Sequence, residues 1–76
     1  MLMGLDALRP GCEAVVAQIH VDQELSRRLE DFGFVVGTRV RCCYRSPCGK
    51  MTAIACRGTV IALRTREITG IRVRCL

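Results

Sequence analysis

Arg27-Arg28-Leu29-Glu30-Asp31-Phe32-Gly33-Phe34-Val35-Val36-Gly37-Thr38 is the stretch from which the fold is read. Leu25, Leu29 and Phe32 recur at spacings of four and three, which places them on one apolar stripe of a helix. Asp22 precedes that stripe and can cap it by accepting backbone N–H bonds, while Glu24 sits favourably in the first turn. Gly33 falls where a left-handed residue ends a helix. The spacing therefore predicts one α-helix over about 22–33. Three turns do not hold in water alone, so the stripe must pack on something. Gly37 then lets the backbone swing sharply into the next segment.

Downstream the period changes from helical to two. From Thr38 to Arg45, Val40, Cys42 and Tyr44 point one way, and Arg39, Arg41, Cys43 and Arg45 the other. Ser46-Pro47-Cys48-Gly49 has the residues of a turn. Strands follow at Met51 to Cys56, Thr59 to Arg64 (after the turn Arg57-Gly58) and Ile71 to Cys75, the last two joined by Thr65 to Gly70. Upstream, Cys12 to His20 reads as a strand whose imperfect alternation predicts a bulge or burial of both faces. Leu5, Leu8 and Pro10-Gly11 read as an ordered lead-in. About five short strands and one inserted helix predict a mainly β chain folded as a small barrel.

Size and composition limit the function. Seventy-six residues allow one domain, 1–76. A chain of this length buries roughly 60% of its unfolded surface, too little to enclose a large catalytic cleft. Half the residues are apolar and the mean hydropathy is +0.25, so the chain folds rather than remaining disordered. No apolar run approaches the roughly 20 residues of a membrane helix. Met1 to Asp6 lacks the basic start of a signal peptide, which reads as a soluble, cytoplasmic protein. No phosphate-binding loop, nucleophile–base pair or paired-carboxylate site is present, and a non-enzymatic role is expected. Twelve basic residues, of which Lys50 is the only lysine, outweigh seven acidic ones and give a net charge of +5. That balance suits an acidic partner.

With the elements in this order, the chain resembles FeoA, the small cytosolic component of bacterial ferrous iron uptake. Leu8-Arg9-Pro10-Gly11, the 27–38 stretch, and Arg57-Gly58 followed by Ile61-Ala62-Leu63-Arg64 carry the resemblance. It implies an SH3-like barrel and an accessory role exercised by contact with a FeoB-type membrane transporter that has a cytosolic GTP-binding domain. The resemblance extends equally to the SH3-like module of a metal-dependent repressor. Two departures stand out. Lys50 and Met51 replace an acid and a second proline of the family's turn, and Val36 stands where proline is common.

Candidate sites follow from these readings. Phe34 and Val35, just past the helix end, read as an apolar tip for partner docking, with Arg27, Arg28, Pro47 and Cys48 as flanking contacts. Arg39, Arg41 and Arg45 on one strand, with Arg72 and Arg74 on another, read as a basic face. A basic barrel that binds nucleic acid is the alternative, although stacking aromatics are scarce. Six cysteines without a C-x-x-C knuckle argue against a structural zinc site. A cysteine-based metal carrier or sensor is the remaining alternative. The antiparallel first and last strands implied by the family's barrel bring Cys12 near Cys75. These two and His20 are the candidates for weak Fe²⁺ or Zn²⁺ contact, with no resident cofactor expected. Cys42 and Cys56 are expected in the core, Cys43 and Cys48 outside it.

Overall fold

The alternating segments form the strands they predict. In the computed structural model, which describes residues 1–76, they are β1 (Leu2–Gly4), β2 (Glu13–Ile19), β3 (Arg39–Arg45), β4 (Met51–Cys56), β5 (Thr59–Arg64) and β6 (Ile71–Cys75). The helix α1 spans Gln23–Asp31, and 3-10 turns occupy Leu5–Ala7 and Thr65–Ile68. All six strands join one antiparallel sheet in the order β1-β6-β2-β3-β4-β5. Its inward residues are the apolar half of each alternation: Ala14 and Val16, Val40 and Cys42, Ile54 and Cys56, Ile61 and Leu63, Ile71 and Val73. These ten, with Leu5, Leu8, Leu25, Leu29, Phe34 and Ile68, make one buried cluster. The sheet covers that cluster with its inward face, and the near-equal extents of 28 × 24 × 23 Å are those of a small SH3-like barrel whose end strands, β1 and β5, are not paired with each other.

The structure adds a sixth strand. Leu2–Gly4 lies within the stretch upstream of the predicted first strand and pairs with β6, Leu2 opposite Arg74 and Gly4 opposite Arg72. Three residues are too few for a period to show, and their pairing comes from a partner about 70 positions away. The bulge expected in β2 is present, between Val16 and Gln18.

A second bulge corrects the reading of β3. Cys42 faces Ile54, but Tyr44 faces Ala53, the next residue along the partner strand. The extra residue, Cys43, reverses the alternation beyond it. Tyr44, expected inside, is therefore 57% exposed, and Arg45, expected on the basic face, turns inward to half-burial.

Local geometry also decides the end of α1. The Asp22 carboxylate accepts the Leu25 N–H at 2.8 Å, as a cap should. At the other end the Phe34 N–H reaches the Leu29 carbonyl at 2.9 Å, and the Gly33 N–H reaches that of Glu30, also at 2.9 Å. With Gly33 at φ +78°, this is a Schellman motif. Such a motif brings the residue after its glycine back onto the last helical turn. Phe34 is accordingly fully buried beside Leu29, and not the exposed tip expected of it. Phe32 moves the opposite way. It leaves the helix stripe and stands 43% exposed.

Candidate functional site

The surface past α1 is built on that Schellman motif and on the turn that follows. The Thr38 N–H donates to the Val35 carbonyl at 3.0 Å, and Gly37 at the third position has φ +95°, the signature of a type II turn. The Gly37 N–H donates to the Val16 carbonyl at 2.8 Å, and the Val16 N–H donates to the Thr38 carbonyl at 2.9 Å. The turn is thus bonded to β2 from both sides. It holds Val35 (40% exposed) and Val36 (61% exposed) outward, and Phe32, at the end of α1 just before this junction, is exposed as well. Arg27 and Arg28 are exposed on α1. Of the two apolar docking candidates, Val35 reaches the surface and Phe34 does not.

Arg57 belongs to the same neighbourhood. It opens the β4–β5 hairpin with φ +52° beside Gly58 at φ +83°, an uncommon conformation for a residue with a side chain. Its side chain lies over Gly33, where any Cβ would come within 2.6 Å of Arg57 Cδ. A cation there also suits the negative end of the α1 dipole. The sequence contained part of the signal for Phe34, because the residue after a glycine that ends a helix often packs back on the last helical turn. No sequence signal marks the contact between Arg57 and Gly33.

The basic face is set by register. Arg74, Val15 and Arg39 lie side by side across β6, β2 and β3, with Leu2 of β1 next to Arg74. Arg72 lies opposite Gln18, and Arg41 lies between Glu13 and Ala55. All four arginines are exposed. The one ion pair, Arg39 to Glu13 at 4.0 Å, is largely solvated and stabilises little. Arg45 is not part of this face. Its Nη2 donates to the Leu8 carbonyl at 3.0 Å and its Nε donates to the Thr52 hydroxyl at 3.3 Å, fastening the N-terminal segment to the hairpin.

Pro47 and Cys48 stand at the tip of the β3–β4 hairpin, both exposed. The Gly49 N–H closes this turn onto the Ser46 carbonyl at 2.8 Å, and the Met51 N–H donates to the Ser46 hydroxyl at 3.0 Å. Ser46 Oγ also lies 3.5 Å from Cys48 Sγ. That hydrogen bond, helped by the Lys50 backbone N–H, holds the Cys48 thiol below the usual thiol range. Cys42 and Cys56 are buried, and burial pushes both thiols up.

The metal candidates divide. Cys12 and Cys75 line one hollow of about 270 Å³. His20 follows the far end of β2, separated from Cys12 by seven strand residues, roughly 23 Å. No three His, Cys, Asp or Glu side chains come together in a way that would hold a metal ion. No helix is long and apolar enough to cross a membrane.

Residues 3–75 match the FeoA domain. The chain belongs to the FeoA family. The solution structure of the FeoA protein from Chlorobium tepidum superposes with a TM-score of 0.93 at 31% identity, covering 97% of this chain and 70% of that one. The crystal structure of an iron uptake regulatory protein, also called FeoA, superposes at 0.85 over the full length of both chains. At 22% identity, that likeness speaks for the fold alone. A manganese-dependent transcriptional repressor superposes at 0.88 with 25% identity, and there the match covers 99% of this chain but 42% of the repressor. No curated protein matches the chain.

Proposed function

We propose that this FeoA-family chain is a non-enzymatic accessory protein of ferrous iron uptake. In this reading it acts in the cytoplasm as a single adaptor domain, against the inner membrane through its partner, the cytosolic part of a FeoB-type GTP-binding transporter. The observation that carries the reading is the apolar junction of Phe32, Val35 and Val36, held rigid by two hydrogen-bonded turns. A preformed apolar tip loses little conformational freedom on docking. Arg27, Arg28 and Arg57 around it, and the four arginines of the sheet face, favour an acidic protein surface and speed its approach.

The test is binding of the transporter's cytosolic portion to the purified chain, compared with the Val35→Asp and Val36→Asp variants. Both side chains are exposed, so the variants fold, and each is expected to weaken binding by tenfold or more, about 1.4 kcal/mol. Undiminished binding by both variants removes this surface. Strongly salt-dependent affinity for DNA, without affinity for the transporter, would favour the nucleic-acid alternative.

A further inference from the structure

Three sulfur-bearing side chains line one hollow at an end of the barrel, and none belongs to the docking surface. Met3 of β1 faces Val73 of β6, and Ala14 of β2 faces Cys75 of β6. Residues two apart on a strand share a face, so Met3 and Cys75 are diagonal neighbours across β1 and β6. Cys12 precedes Ala14 by two residues and is the diagonal neighbour of Cys75 from the other side. Its backbone is fixed there: the Cys12 N–H donates to the Arg9 carbonyl at 3.0 Å, and its carbonyl accepts from the Cys42 N–H at 3.1 Å. Cys75 Sγ lies 2.8 Å from Met3 Sδ. Both cysteines are exposed, Met3 is half-buried, and all three line the same hollow together with Arg9 and Glu13.

We propose that Cys12, Cys75 and Met3 bind a soft monovalent cation, Cu(I), at this open end of the barrel. Thiolates and a thioether select Cu(I) over oxygen-seeking ions. A structural zinc site would call for four ligands, and no third His, Cys, Asp or Glu joins the two thiols. Fe²⁺ loses the one imidazole in the chain, because His20 is at the far end of β2. Two thiols give up two protons as the ion enters. The resulting complex carries one negative charge, in a hollow lined by one cation, Arg9, and one carboxylate, Glu13, and open to solvent. A Cys12–Cys75 disulfide is the less favourable use of the pair. Diagonal neighbours lie roughly 7–8 Å apart, beyond the span of about 4.4–6.8 Å that a disulfide bridges between Cα atoms.

The experiment is an anaerobic titration of the reduced full chain with Cu(I) against a chromophoric Cu(I) chelator, with Zn²⁺ and Fe²⁺ run in parallel. One tight equivalent of Cu(I) is expected, with three sulfur neighbours by X-ray absorption. Cys12→Ser and Cys75→Ser should each weaken it by more than the roughly 10- to 100-fold that loss of a ligand's supporting partner costs. Met3→Leu should weaken it about tenfold and lower the sulfur count. Cys43→Ser and Cys48→Ser should change nothing. Circular dichroism melts confirm that each variant is folded, and Cys12→Ala and Cys75→Ala repeat the key comparison. The proposal is overturned by a tight equivalent that survives loss of Cys12 and Cys75, by one that depends on Cys48, by a sulfur count that Met3→Leu leaves unchanged, or by equal affinity for Zn²⁺.

Discussion

The Thr38 hydroxyl donates to the Gly33 carbonyl at 3.1 Å and lies 3.4 Å from the Val35 N–H, which donates to it. One buried oxygen thus ties the end of the Schellman motif to the start of the turn. Thr38→Val keeps the shape and leaves both backbone groups without a partner, which should cost about 1–3 kcal/mol in urea unfolding. The cysteines divide by environment in the same way. Cys48 lies below the usual thiol range because Ser46 hydrogen-bonds to it, so it should be the first thiol alkylated by iodoacetamide near neutral pH, and Ser46→Ala should slow that reaction. Cys42 and Cys56 lie above the range because burial disfavours their thiolates. The folded state holds these two protons more tightly than the unfolded chain does. The stability they contribute is complete below about pH 8.5 and is lost as pH rises through their folded values. Urea midpoints should therefore fall on the alkaline side, with a shallower decline in Cys56→Ala.

Among the elements, the turn 35–38 is one that would accept proline. Proline is favoured at the second position of a type II turn, and the Val36 N–H takes no backbone hydrogen bond. Val36→Pro should stabilise the fold by about 0.4–1 kcal/mol by restricting the unfolded chain. A thermal melt should show a rise of roughly 4–8 °C per kcal/mol. Gly33→Ala should do the reverse, since φ is positive there and Arg57 fills the space of a Cβ. The regular elements were legible in the sequence because their periods are local: all five predicted strands lie within a residue of their predicted bounds, and α1 within two. What was not legible depends on partners. β1 exists through its pairing with β6, and the bulge at Cys43 is visible only in its register with β4. Phe34 is the instructive case between these. Gly33 announced the helix end, yet the burial of Phe34 needed the hydrogen bonds that accompany such an ending.

On the scale of the whole molecule, Arg39 and Arg74 are two strand spacings apart, roughly 10 Å, which is close to the screening length at physiological salt. Their fields overlap in a dilute buffer and separate in a concentrated one. Association with an acidic partner should slow as salt is raised, and Arg39→Glu with Arg74→Glu should remove most of that dependence in stopped-flow kinetics. The order of the sheet has another consequence. β6, the last strand in the sequence, occupies an interior place between β1 and β2 rather than an edge. A nascent chain still hiding residues 71–75 in the ribosomal tunnel has a gap in its sheet that nothing else fills. Folding must then wait until translation has carried β6 into the open, and any quality-control factor meeting the chain earlier would encounter it with its core exposed.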